Sequence, residues 1–283
     1  KHFATQDGTE LCYRDRPAAD GSTEKAIVLF HRGHEHSGRM MFVADELGFD
    51  DCAYFAWDAR GHGHSPGERG DSPSIGTSVA DVDDFIRHIQ SEYGIKPENI
   101  CVIAQSVGAV LVSTWLHDYA PKIRCAVLAS PAFKVKLYVP FARTGLKIMQ
   151  KWRGNFFVNS YVKAHYLTHN VERQKSYDND PLIARAISVR ILLGLYEAAE
   201  RVVADAQAIT TPVQLLISGS DWVVHHKPQH DFYNRLGSHI KERHILPGFY
   251  HDTLGEQNRE IAFIEMRRFI SERVHQSLQQ VVL

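Results

Sequence analysis

The chain reads as a doubly wound α/β protein, a mostly parallel central sheet flanked by helices, with a helical insertion over one edge. Three observations predict this. Short continuous apolar runs recur, as in Ala26-Ile27-Val28-Leu29-Phe30, which is the pattern of strands buried on both faces. Segments with apolar residues at helical spacing separate these runs. The strict alternation of the two demands crossover connections, and therefore parallel strands covered on both sides.

Taken in order, Phe3 to Tyr13 predicts a hairpin around the turn dipeptide Asp7-Gly8. Pro17 to Thr23 is a polar loop, and the run Ala26 to Phe30 is the first buried strand. Met41, Ala44 and Leu47 keep helical spacing, closed by Gly48. Ala53 to Trp57 is the next strand, followed by the glycine-rich loop Asp58 to Ser65 and a helix through Val79, Val82, Phe85, Ile86 and Ile89 up to Gly94. Ile100 to Ala104 and Ile123 to Ala129 are strands on either side of a helix carrying Val110, Leu111, Thr114 and Trp115. From about 132 to 207 no buried-strand run appears, and aromatic and basic residues dominate, among them Phe133, Tyr138, Phe141, Lys147, Trp152 and Tyr161. This stretch is expected to be a mostly helical cap within a single domain spanning 1–283. The alternation resumes with the strand Val213 to Ile217, a helix around Phe232 and Leu236, the short strand Arg243 to Leu246, and a closing helix through Ile261, Ile264, Phe269 and Val274.

Composition narrows the function. The 283 residues carry 32 basic and 33 acidic side chains, a net charge of −1, which gives no electrostatic footprint for nucleic acid. The 44% hydrophobic and 23% charged content is that of an ordinary globular protein. No apolar run approaches the ~20 residues of a membrane span. Four cysteines, Cys12, Cys52, Cys101 and Cys125, lie far apart, three of them in or beside strand-like runs, and point to a reducing, cytoplasmic compartment. The start at Lys1 rather than Met, and the end just past the closing helix, point to excision from a longer chain with a fused partner domain.

The chemistry centres on Ala104-Gln105-Ser106-Val107-Gly108, where a strand passes through a tight turn into a helix. That context lifts a serine hydroxyl above the sheet edge and aims the N–H of the next residue at a developing oxyanion. A serine needs an imidazole to take its proton and a carboxylate to hold the imidazole's tautomer. Asp221, just after the strand Val213 to Ile217, and His251, after the last strand, supply these in the chain order Ser, Asp, His. Asp252, beside His251, is a rival carboxylate. The loop His31-Arg32-Gly33 follows the first parallel strand, and Gly33 is expected to bring a second N–H to the oxyanion. His31, His34 and His36 match no ordinary metal-ligand spacing, so neither metal nor cofactor is expected.

These motifs together resemble the monoglyceride lipase, lysophospholipase and serine-aminopeptidase-like branch of the α/β-hydrolases. The branch's His-Gly-x-Gly-Glu-His-Ser-Gly-Arg stands here as His31 to Arg39, its Asp-x-Arg-Gly-His-Gly-x-Ser as Asp58 to Ser65, and its elbow as Ala104 to Gly108. Asp180-Pro181-Leu182, Gly219 to Asp221 (one spacer residue short) and His251 to Glu256 are also similar. The resemblance implies an α/β-hydrolase fold with Ser106 as nucleophile, His251 as base, Asp221 as orienter, and Gly33 and Val107 as oxyanion donors. It implies hydrolysis of an acyl ester such as a monoacylglycerol or lysophospholipid. Thioester or peptide cleavage, or ligand binding without catalysis, are the alternatives. Arg32 and His34 stand where the branch has glycines, and Ala104-Gln105 where it has Gly-His. Arg32, Phe133, Tyr138 and Phe141 are the candidates for substrate contact; Arg32 would bind an anionic head group, but the preferred reading of it is a surface position or packing against Glu35. The mixed apolar and basic stretch Phe141 to Trp152 fits peripheral membrane contact through the cap and, equally, packing of the cap onto the sheet.

Overall fold

The computed structural model describes residues 1–139, 141–160 and 162–274. Tyr161, one of the aromatics expected in the cap, lies outside the described residues. An eight-stranded sheet forms the centre, built from β1 (His2–Ala4), β2 (Glu10–Arg16), β3 (Ala26–Phe30), β4 (Ala53–Trp57), β5 (Ile100–Gln105), β6 (Cys125–Ala129), β9 (Val213–Ser218) and β10 (Lys241–Leu246). Their spatial order is β1-β2-β4-β3-β5-β6-β9-β10. The first hairpin pairs antiparallel with Phe3 opposite Leu11, and β2 lies antiparallel to β4. Every other pairing is parallel.

Residues of β3 alternate between two cores, as a doubly covered strand requires. Ala26, Val28 and Phe30 face a layer made by α2 (Ile75–Tyr93), α3 (Val107–Tyr119), α6 (Val189–Ala204) and α7 (His226–Arg235). Ile27 and Leu29 face α1 (Phe42–Leu47) and α8 (Glu260–Val274), where Val43, Leu47, Phe263, Met266 and Phe269 are buried. Glycines end two of these helices as the sequence predicts: Gly48 and Gly94 take left-handed φ values of 66° and 69°.

Between β6 and β9 the chain forms α4 (Ala142–Arg153), β7 (Phe157–Asn159), α5 (Val171–Asn179), β8 (Ala186–Ser188) and α6. The pairing of β7 with β8, three residues each, is a small sheet that no apolar run announced. The two outer helices differ sharply in attachment. No residue of α4 is buried, whereas α6 buries Val189, Leu193, Leu195, Ala199 and Val202 and packs against α3 and α7.

The chain order reverses between β3 and β5, which are neighbours in the sheet although β4 lies between them in sequence. Ligand crevices in open α/β sheets form at the carboxyl ends of strands flanking such a reversal. The loops leaving β3 and β5 begin at His31 and Ser106, so topology alone brings the two halves of the predicted site together.

Candidate active site

Ser106 occupies the turn between β5 and α3 with φ 56° and ψ −115°, a conformation that costs a non-glycine residue of order 1–3 kcal/mol. The surroundings hold it there. Its N–H donates to the Ala129 carbonyl at 2.9 Å, and its carbonyl accepts from Ala132 at 3.1 Å. Gly108 lets α3 press onto β3: a Cβ there would stand 2.4 Å from the His31 carbonyl oxygen.

A continuous chain of short contacts starts at this serine. Ser106 Oγ lies 2.7 Å from His251 Nε2, and His251 Nδ1 lies 2.7 Å from Asp221 Oδ2. All three residues are buried. Asp221 Oδ1 accepts the N–H groups of Val223 (2.7 Å) and Val224 (3.0 Å). Burial opposes ionisation of Asp221, but the charge and hydrogen bond of His251 and the two backbone donors outweigh it and hold the carboxyl below its usual range. An ionised carboxylate only accepts, so Nδ1 carries the ring proton and Nε2 is left free to accept from Ser106.

Gly33 stands against Val107, since a Cβ on it would meet Val107 Cγ2 at 2.9 Å. Among the described residues, neither the Gly33 nor the Val107 N–H meets a hydrogen-bond acceptor. Both residues line a cavity of about 790 Å³ that also reaches Ser106 and His251. Its walls are apolar, with Leu146 and Met149 from α4, Ile187 from β8, and Leu192 and Leu195 from α6.

The histidines of the β3 loop have separate tasks. His31 Nδ1 donates to the Arg32 carbonyl at 2.7 Å and Nε2 accepts from Ala59 N–H at 3.1 Å, so burial keeps this ring neutral and its pKa low. His36 bridges Gly38 N–H and Asp180. Burial, helped by the Arg32 charge, pushes His34 down to about 4. No group of three or more His, Cys, Asp or Glu among the described residues is arranged to hold a metal ion.

The four candidates for substrate contact separate on inspection. Phe141 lines the cavity and is otherwise exposed. Arg32 borders the cavity, but its guanidinium is buried and taken by Glu35 through two bonds of 2.7 and 2.8 Å, so it is not available to an anionic head group. Phe133 belongs to the core: it is 2% exposed and its ring lies tilted against that of Phe232, with centroids 4.7 Å apart. Tyr138 lies in an outer cleft with Tyr166 and Trp222, donating to the Trp222 carbonyl at 2.7 Å. Asp252 points away from the His251 ring. It accepts from Arg173 Nε at 2.8 Å and Gln105 Nε2 at 3.2 Å, a role that sequence reading missed because Arg173 is 79 residues away.

Residues 21–258 match the Serine aminopeptidase, S33 family, also called Hydrolase_4. The chain belongs to this family. Its fold is that of the α/β-hydrolases. The chain is 62% identical over 269 residues to the Uncharacterized protein YnbC of Escherichia coli (strain K12), a match covering 95% of the chain and 46% of that protein. It therefore spans about half the length of that relative. It is 27% identical over 281 residues to the Monoglyceride lipase of Homo sapiens, covering 96% of the chain and 90% of that protein. Among solved structures, the monoacylglycerol lipase of Paleococcus ferrophilus superposes with a TM-score of 0.82 at 24% identity, over 93% of this chain and 99% of that one. At that identity the likeness speaks for the fold. No described helix of this Hydrolase_4 member is long and apolar enough to cross a membrane.

Proposed function

We propose that this chain is a serine esterase that cleaves acyl lipids of the monoacylglycerol or lysophospholipid class through an acyl-enzyme. The observation that carries the reading is the Ser106–His251–Asp221 chain of 2.7 Å contacts at one wall of an apolar cavity of about 790 Å³.

In this mechanism Ser106 Oγ attacks the ester carbonyl as its proton passes to His251 Nε2, and Asp221 steadies the imidazolium. The Gly33 and Val107 N–H groups donate hydrogen bonds to the carbonyl oxygen as negative charge develops on it. His251 then returns the proton to the departing alcohol, leaving the acyl group on Ser106. Water repeats the sequence from the other side: its proton goes to His251, its oxygen joins the acyl carbon, and the acid leaves as Ser106 regains its hydrogen.

The acyl chain lies along the walls formed by Leu146, Met149, Ile187, Leu192 and Leu195, and the segment from 132 to 207 acts as the cap that selects it. The exposed residues of α4 and its flanking Phe141 fit a lipid surface. Phe141 and Trp152 are 89% and 91% exposed, with Lys147, Lys151 and Arg153 beside them, the mix of aromatic and cationic groups that interfacial helices carry.

A fluorophosphonate probe and a hydrolysis panel test the reading. The panel spans monoacylglycerols, lysophospholipids, acyl thioesters and aryl esters, with Ser106→Ala as control. Labelling of the native chain and not of the variant, with the glycerol-based lipids hydrolysed fastest, is the expected result. Labelling that survives Ser106→Ala, or no turnover of any ester, overturns it.

A further inference from the structure

Three guanidinium groups, of Arg32, Arg39 and Arg173, face three carboxylates, of Glu35, Asp252 and Asp180, at the junction of the β3 loop, the His251 loop and α5. Glu35 and Asp252 are fully buried, and the side chains of Arg32 and Arg39 are 3% and 5% exposed. The Tyr177 ring packs beneath Arg32 and Arg39 at 5.5 and 5.7 Å. Buried ion pairs are not a cheap way to stabilise a fold, because desolvation cancels most of their attraction. A cluster of this kind calls for a role beyond stability.

Its connections suggest that role. Three groups of the proposed mechanism, Gly33, His251 and Ser106, have a sequence neighbour in the cluster or bonded to it. Arg32 precedes Gly33, Asp252 follows His251, and Gln105 precedes Ser106. Asp252 joins all three: Oδ1 accepts from Gln105 Nε2 at 3.2 Å and from Gly255 N–H at 3.2 Å, while Oδ2 faces Arg173 Nε at 2.8 Å and Arg32 at 3.6 Å. Gln105 Nε2 also donates to the His251 carbonyl at 3.2 Å. Arg173 closes the frame from α5. Its two terminal nitrogens donate to the Arg39 carbonyl at 3.2 Å each, at the end of the β3 loop. Arg39 returns the tie, with Nε on Glu35 at 2.6 Å and a terminal nitrogen on Ser176 Oγ at 2.7 Å.

We infer that Arg173 is a positioning residue for the hydrolysis proposed above: by bonding Asp252 on one side and the Arg39 carbonyl on the other, it fixes the His251 loop relative to the Gly33 loop. The inference rests on that functional reading. Without Arg173, the nearest cation to Asp252 is Arg32, more distant and already held by Glu35. The carboxylate then relaxes toward Arg32 and pulls His251, its neighbour in sequence, out of line with Ser106 Oγ. Displacements of about 1 Å at reacting groups cost on the order of 100-fold in rate, because the attack geometry is lost while the binding surface remains. The acyl cavity does not include Arg173, so substrate affinity is untouched.

The test compares Arg173→Ala, Arg173→Gln and Arg173→Lys with the native chain. It measures kcat and KM on an aryl ester, the rate of fluorophosphonate labelling, and the thermal midpoint. Arg173→Ala is expected to lose about 10- to 100-fold in kcat with KM within about threefold, and to label more slowly by a similar factor. Millimolar guanidinium chloride, far below denaturing strength, restores part of the kcat of Arg173→Ala by filling the vacated space. Arg173→Lys falls between, since an ammonium reaches Asp252 or the Arg39 carbonyl but not both. Retention of kcat within about threefold in Arg173→Ala and Arg173→Gln overturns the inference, as does a loss that guanidinium leaves unchanged. Unfolding of both variants also overturns it, because the residue is then structural. A native chain that neither labels nor hydrolyses esters refutes the functional reading instead, whatever the Arg173 variants do.

Discussion

Asp221→Asn is the most informative single substitution, because the structure dictates which way the new amide faces. Asp221 Oδ1 accepts two backbone N–H groups, from Val223 and Val224, and Oδ2 meets His251 Nδ1. An asparagine keeps its carbonyl oxygen on the two backbone donors, since the flipped amide would oppose N–H to N–H twice. Its NH₂ therefore points at Nδ1 and forces that nitrogen to accept. The ring proton moves to Nε2, the atom 2.7 Å from Ser106 Oγ, and the base has nowhere to receive the serine's proton. The same tautomer inversion in serine proteases costs about 10⁴ in kcat, equivalent to about 5.4 kcal/mol at 1.36 kcal/mol per decade. Steady-state kinetics on an aryl ester should show that loss in kcat with KM little changed and the thermal midpoint within a few degrees of the native value. A fall of less than about tenfold would show that Asp221 does not govern the His251 tautomer, and the mechanism would need another orienter.

Other perturbations follow from the same geometry. Gly33→Ala sets a Cβ 2.9 Å from Val107 Cγ2, so the β3 loop must retreat; kcat for ester hydrolysis should fall about 100-fold with little change in the urea midpoint. Gly108→Ala is the opposite case: its Cβ would stand 2.4 and 2.8 Å from backbone oxygens of His31 and Phe30, and denaturation should report a loss of at least about 1–3 kcal/mol. For esters of increasing acyl length, kcat/KM should rise about fourfold per methylene, from about 0.8 kcal/mol per buried CH₂, until the cavity is filled, and a flat series would argue against an acyl-binding cavity. Stability should decline as pH falls. His34 and His62 titrate at about 4 and about 3 in the folded chain, against about 6.5 unfolded, so the unfolded state binds more protons below pH 6.5; Asp221 and Asp252, also depressed, add to the loss below about pH 4. Urea midpoints should thus be level from pH 7 to 8 and drop steadily below about 6.5. Phe141→Ala with Trp152→Ala should weaken sedimentation with anionic vesicles while leaving hydrolysis of a soluble short-chain ester intact.

The sheet was legible because its strands are short, apolar and bounded by turn residues. Ala26–Phe30, Ala53–Trp57 and Val213–Ser218 are buried at every position, so their sequence had no alternation to blur. The last strand was read late, at Arg243, whereas it begins at Lys241; it is an edge strand, and its outer residues stay polar. The meeting of Ser106, Asp221 and His251 was legible because each lies at or in the loop that leaves a strand, and the sheet's topology carries strand ends to one rim. Side chains whose meaning depends on distant partners were harder. Phe133 suggested a cap aromatic until Phe232 appeared beneath it, whereas Arg32 does pack against Glu35, the reading its sequence favoured over an anion site, and the added contact with Asp252 is what distance in the chain hid. The β7–β8 pairing was hidden because three-residue strands leave no period to detect. In α6 the apolar spacing was present, but the surrounding aromatic and basic segment masked its place in the main helical layer.

The absence of buried residues in α4 has an evolutionary corollary. Leu146 and Met149 border the void without supporting the body of the molecule, so their replacement changes what fits inside at almost no thermodynamic cost. If the proposed function holds, lineages can retune chain preference by drift along this one ribbon, while Ser106 sits at a strand terminus whose interior neighbours tolerate little exchange.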